Sequence, residues 1–172
     1  MTTRRRFLFS GGAVTALAAL GGWRALASAL GLRAADAATP ETFAVMHSDA
    51  QWHRLLDPQQ YAVLREAATE RPYSSPLNDE HRAGMFHCAG CRTPCFSSST
   101  KFDSRTGWPS FWAPVANAVG DRDDHSWGVT RTEIHCARCG GHLGHRFSDG
   151  PAPTGLRYCM NGFALGFTAG AA

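Results

Sequence analysis

Beyond its first 37 residues the sequence has no long apolar run, no low-complexity tract and no alternation of strand and helix patterns. Without roughly 20 consecutive apolar residues, that portion offers no membrane-spanning helix. Without biased composition it is expected to pack a core, not to remain disordered. A surplus of positive charge is missing as well. The formal charge is +3, but five of the 17 basic residues (Arg4, Arg5, Arg6, Arg24 and Arg33) precede residue 38. Setting aside that stretch and its Asp36 leaves 12 basic against 13 acidic side chains, so the basic footprint of a nucleic-acid-binding domain is absent and no nucleic acid partner is expected. At 172 residues and 44% apolar composition, the chain fits one domain with a moderate core plus a terminal extension.

That extension reads as an address. Thr3-Arg4-Arg5-Arg6-Phe7-Leu8 is a twin-arginine pattern, followed by a weakly apolar stretch containing Ala13, Val14, Leu17 and Leu20. Ala35-Asp36-Ala37 offers a small-residue cleavage site, and Ala27-Ser28-Ala29 offers a second. The competing reading is an uncleaved anchor, against which Arg24 and the many Gly and Ala residues argue. The expectation is a twin-arginine signal over 1–37, a folded domain over 38–172, a periplasmic location, and no stable membrane insertion after processing.

From Ser48 to Glu70 the sequence predicts helix, in two short pieces. Asp57-Pro58-Gln59-Gln60 supplies an N-cap, a proline at the first helical position and a glutamine placed to close a capping box. Past Pro72, glycines and prolines punctuate short runs, and Val129 to Ile134 suits a strand. The rest reads as mainly β.

Cys88-Ala89-Gly90-Cys91 and Cys136-Ala137-Arg138-Cys139 are two C-x-x-C pairs with 44 residues between them. Each turn lets two thiolates converge, and two such turns brought together make a tetrahedral four-sulfur zinc site. Two disulfides or a redox C-x-x-C are the alternatives, but the βαβ pattern that the redox reading needs is missing. Four sulfurs close the shell around one Zn2+, so the metal is expected to be structural and chemistry must come from elsewhere.

Cys159 sits in Arg157-Tyr158-Cys159-Met160-Asn161, where a strand puts Arg157, Cys159 and Asn161 on one face. A guanidinium beside a thiol favours the thiolate. Taken singly, Cys159 reads first as a buried core cysteine and only second as a nucleophile. His142 and His145, in Gly141-His142-Leu143-Gly144-His145 with Asp149 following, could supply a proton donor and its orienting partner, or be surface groups. Thr106-Gly107-Trp108-Pro109-Ser110-Phe111 on its own is an aromatic core segment.

Together with Phe96-Ser97-Ser98-Ser99-Thr100-Lys101-Phe102, these segments resemble, in order and spacing, the methionine-R-sulfoxide reductase family of the B type, from about Asp49 to Phe167. The resemblance implies two antiparallel sheets forming a small barrel-like domain, short N-terminal helices, and a zinc site at one edge. It implies that Cys159 attacks the sulfoxide sulfur, with Arg157 lowering its pKa. His142 and His145, supported by Asp149, would protonate the oxygen while Asn161 assists positioning. Trp108 and Phe111 would bind the substrate, Trp108 against the S-methyl group. Oxidised proteins would be the substrate, and a thioredoxin-like or other thiol would regenerate the sulfenic acid left on Cys159.

The sequence departs from that family at Thr106, where many relatives carry a resolving cysteine. Cys95 then stands either as a substitute or as an apolar strand residue. Arg105 and Gly162-Phe163 depart as well. Two rival readings are a non-catalytic zinc-bearing β-domain that binds a partner protein, and an enzyme whose zinc binds the substrate, which needs an open coordination position.

Overall fold

The computed structural model describes residues 41–170. The twin-arginine pattern and both cleavage sites lie outside the described residues. Two short helices come first, α1 (Asp49–Leu55) and α2 (Pro58–Glu66). Both begin with capping boxes, from Ser48 to Gln51 and from Asp57 to Gln60, each cap contributing about 1 kcal/mol. Helix does not run on to Glu70. Ala67 turns left-handed (φ 53°) and ends α2 there, and residues 68–70 carry no regular secondary structure.

The remainder is mainly β. The strands are β1 (Gly84–Cys88), β2 (Pro94–Ser97), β3 (Lys101–Phe102), β4 (Ser110–Phe111), β5 (Val119–Asp124), β6 (Arg131–Cys136), β7 (His142–Phe147), β8 (Arg157–Met160) and β9 (Leu165–Ala169). They form two antiparallel sheets, one ordered β2-β1-β9 and the other β3-β4-β8-β7-β6-β5. The strand expected from Val129 starts two residues later, because Val129 closes a 3-10 turn over Ser126–Gly128 and the β5–β6 ladder opens at Asp124 opposite Arg131.

Phe86, Phe96, Phe111, Ile134, Leu143 and Met160 are fully buried, each contributing about 1.5–3 kcal/mol by leaving water. Phe111 stacks on Phe96 at 4.4 Å and meets Phe86 edge-on at 5.0 Å. The expectation that Phe111 contacts substrate is therefore corrected: alternation along β4 aims it into the core, and Ser110 takes the other face. Val63 and Leu64 of α2 join this core, with Leu64 packing near Gly90 and Gly141 at the two cysteine turns.

Candidate active site and metal centre

Register places the chemistry in one row. In the six-stranded sheet Arg122 pairs with Glu133, Glu133 with His145, His145 with Cys159, and Cys159 with Ser110. Directly paired residues project to the same face, so strands distant in sequence deliver these side chains side by side.

His142 and His145 are three apart, and in a regular strand they would face opposite sides. The β6–β7 register shifts between Ile134 and His135, with Ile134 opposite Gly144 and His135 opposite His142. Leu143 is the extra residue of this bulge. The two imidazoles thereby meet edge to face at 5.3 Å. Gly144 is needed beside them, since a Cβ there would lie 2.2 Å from the carbonyl oxygen of Cys159.

Each imidazole has a carboxylate partner. His142 Nδ1 lies 2.8 Å from Glu133 Oε1, and His145 Nε2 lies 2.8 Å from Asp124 Oδ2. Arg122 donates two bonds to Glu133 (2.7 and 2.9 Å), and Arg131 donates one to Asp124 at 2.7 Å. Burial alone would raise the Glu133 pKa, but His142 and Arg122 outweigh it and bring it down to about 2. Bonds from Ser126, His145 and Arg131 likewise hold Asp124 well below the ordinary carboxylate range. Desolvation pushes the His145 pKa down against the pull of Asp124, favouring the neutral ring. His142 Nε2 is buried with no hydrogen-bond partner among the described residues.

The role expected for Asp149 changes. It touches neither histidine; it accepts two bonds of 2.9 Å from Nε and Nη2 of Arg157, whose guanidinium also covers the Phe147 ring at 4.4 Å. Cross-strand carboxylates fill the place that sequence proximity suggested for Asp149.

Cys159 faces a cavity of about 130 Å³ lined by Trp108, Arg131, His145, Phe147 and Asn161. That is room for a group about the size of a small aromatic ring. Burial raises the thiol pKa above its ordinary value, and Thr106, Arg157 and Ser110 pull it down without cancelling that effect. The net depression by Arg157 that the sequence predicts is not found, because desolvation wins. Thr106 Oγ1 lies 3.9 Å from the sulfur, and Ser104 Oγ joins Thr106 Oγ1 (2.8 Å) to Ser110 Oγ (2.7 Å) behind it. Gly107 (φ 88°) turns the chain sharply ahead of Trp108. Asn161 is buried, its amide donating to Leu143 O at 3.2 Å and accepting from Glu70 N at 3.0 Å.

The four motif cysteines also converge. Cys88 and Cys139 sulfurs are 3.7 Å apart, Cys91 and Cys136 sulfurs 3.5 Å, and all four lie within 4.8 Å of one another. A tetrahedron with metal–sulfur bonds of about 2.3 Å has sulfurs about 3.8 Å apart, so the set fits one ion that could be held here. The two turns share one geometry. Arg92 N donates to Cys88 O at 2.8 Å and Gly140 N to Cys136 O at 2.9 Å, with Arg92 and Gly140 both left-handed. Cys95 is fully buried beside Cys136, and its thiol donates to Thr93 O at 3.2 Å.

Sequence reasoning misses Arg122, Asp124, Arg131 and Glu133. Period-two alternation from Val129 to Ile134 puts Arg131 and Glu133 on one face, but only the register reveals which strand that face meets.

Comparison with known proteins adds the family. The SelR domain model matches residues 56–169. The chain is 57% identical over 122 residues to the peptide methionine sulfoxide reductase MsrB of Bradyrhizobium diazoefficiens, covering 70% of this chain and 88% of that protein. It is 52% identical to the same-named protein of Agrobacterium fabrum (72% and 92% covered) and 54% identical to that of Thiobacillus denitrificans (70% and 92%).

Proposed function

The chain belongs to the SelR-domain family of MsrB-type peptide methionine sulfoxide reductases, and from that premise we propose that it reduces the R epimer of protein-bound methionine sulfoxide through Cys159. The observation that carries this reading is Cys159 standing in the row Glu133–His145–Cys159, open to a cavity lined by Trp108.

Carboxylate bonds at His142 Nδ1 and His145 Nε2 leave the other ring nitrogens, in the neutral tautomers, as bases. Raised by burial, Cys159 rests as a thiol; its proton passes to an imidazole as the sulfur attacks the sulfoxide sulfur, and the imidazole delivers it to the oxygen. The S–O bond of the substrate and the newly formed S–S bond then break as the hydroxyl passes to the Cys159 sulfur, so Cys159 becomes a sulfenic acid and methionine leaves as a thioether. Trp108 offers an apolar wall to the S-methyl group of one epimer, and Asn161 holds the strand end beside it. Arg157, fixed by Asp149, lowers the cost of the thiolate.

With Thr106 at the position of the resolving cysteine and Cys95 buried beside Cys136, an external thiol attacks the sulfenic acid, releasing water and forming a mixed disulfide. A second thiol frees Cys159. Thioredoxin-like proteins and small thiols are the donor class. Zinc is the metal that four thiolates at these spacings suit; Cys88, Cys91, Cys136 and Cys139 would hold it and pin β1 to β6. The residue 1–37 segment would send the domain by the twin-arginine route to the periplasm, to repair oxidised exported proteins.

Reduction of the separate R and S epimers of a blocked methionine sulfoxide, with dithiothreitol as donor, tests this. R-only consumption, lost in Cys159→Ser, supports it; activity retained in the variant, or inactivity of both folded proteins, refutes it. Replacing Arg4 and Arg5 by lysine should retain a reporter fusion in the cytoplasm, and unimpaired export would remove the address.

A further inference from the structure

Between α2 and the sheets the chain passes Glu70, a buried carboxylate that, among the described residues, has no arginine or lysine bonded to it. Its two oxygens are occupied by main-chain donors: Gly162 N bonds Oε1 at 2.7 Å and Phe163 N bonds Oε2 at 2.9 Å. Those donors open the 3-10 turn Gly162–Ala164, which follows Asn161 at the end of β8. Burial raises the carboxyl pKa and the two N–H bonds oppose it. The fit is close. A Cβ at position 162 would lie 2.0 Å from Ser75 Oγ, so only glycine lets the turn seat on this carboxylate.

The backbone of Glu70 bonds two residues that line the Cys159 cavity. Its N–H donates to Asn161 Oδ1 at 3.0 Å, and its carbonyl accepts from Trp108 Nε1 at 3.1 Å. One residue thus ties together the turn after the nucleophile strand, the indole and the active-site amide. These groups are separated from it by 38 to 93 positions in sequence.

We propose that Glu70 is a positioning residue of the reductase: its carboxylate bolts the 69–71 segment to the 162–163 turn, and that anchorage aims Trp108 and Asn161 into the Cys159 cavity. This rests on the reductase reading above. The carboxylate is required because it accepts at both oxygens. A glutamine accepts at one and turns an NH2 donor toward the other N–H, and an aspartate is one methylene short. Either change loosens the main chain at residue 70 and lets the indole move.

The test uses the zinc-loaded enzyme and its Glu70→Gln and Glu70→Asp variants, the second keeping the charge if the first fails to fold. Activity on the R epimer and the ¹⁵N–¹H signal of the Trp108 indole, assigned by its loss in Trp108→Phe, are both read. The expected result is a fall of about tenfold in kcat/KM in either variant, carried more by KM than by kcat. The indole signal shifts and its proton exchanges faster. The loss shrinks to about twofold when Glu70→Gln is placed on Trp108→Phe, because the two act through one contact. An unmoved indole signal, or losses that multiply independently in the double variant, overturns the role of Glu70. A wild-type enzyme inactive on both epimers sinks the reductase reading instead, while the indole signal still decides whether Glu70 holds Trp108.

Discussion

Thr106 Oγ1 stands 3.9 Å from the sulfur of Cys159, with the Ser104 hydroxyl linking it to Ser110 on the neighbouring strand. A hydroxyl thus occupies the spot from which a second thiol could reach the nucleophile. Its hydrogen bond to the sulfur lowers the thiol pKa, but a hydroxyl cannot form a disulfide with it.

Thr106→Cys should therefore convert the regeneration chemistry. After one turnover without reductant, mass spectrometry should find a disulfide between the introduced cysteine and Cys159 in the variant, and a free sulfenic acid, trapped by dimedone, in the parent. A variant that accumulates only sulfenic acid would show that the two side chains cannot approach disulfide distance.

The resting thiol of Cys159 gives a second expectation. Burial raises its pKa, so its alkylation by iodoacetamide should reach half-maximal rate above the ordinary thiol value of 9.0. Arg157→Met removes a cation that lowers the pKa, so the midpoint should climb further. A midpoint near neutrality in the parent would contradict the dominance of desolvation.

Glu133 links the site to stability. Its folded pKa of about 2 lies below its ordinary 4.5, so the unfolded state binds the proton first on acidification. The stabilisation from Glu133 is complete above about pH 4.5 and is lost as pH falls toward 2. Glu133→Gln should cost about 1–3 kcal/mol at neutral pH and at least about tenfold in kcat/KM, since His142 loses the carboxylate that fixes its tautomer. Urea midpoints at stepped pH should show the gap between parent and variant closing below pH 4.5. A gap that stays constant well below that pH is the contrary result.

Metal content and the spare cysteine separate cleanly. One zinc per chain is expected by elemental analysis, and stripping it with a strong chelator after mercurial release should destabilise the fold by several kcal/mol, read by calorimetry. Cys95→Ala should keep its zinc and its kcat, at a cost of about 1 kcal/mol for the lost buried sulfur. Loss of turnover in Cys95→Ala with intact zinc would return Cys95 to the chemistry.

Phe111 supplies a check on the core. Phe111→Leu should cost about 1–2 kcal/mol by trimming the stack on Phe96, and leave KM within about twofold. A large KM change without destabilisation would place the ring against substrate after all.

Much of this is local and therefore legible in the sequence. The Ser48 and Asp57 caps fix where α1 and α2 start, since a cap is an interaction over three residues. The C-x-x-C turns, likewise complete in five residues, announce a metal-binding set. Alternation along β8 puts Arg157 and Cys159 on one face, and the joint pattern of motifs points to the family. What only the tertiary structure decided are the partners. Glu133 and Asp124, not Asp149, hold the histidines, because a bulge at Leu143 and the register of three strands bring them there. Phe111 turns inward because the second sheet lies against its face of β4. Glu70 acquires its place by bonds to residues some ninety positions away. Sequence order carries the chemistry that neighbours in the chain complete between themselves; contacts set by strand register and packing across the core exist only once the chain has folded.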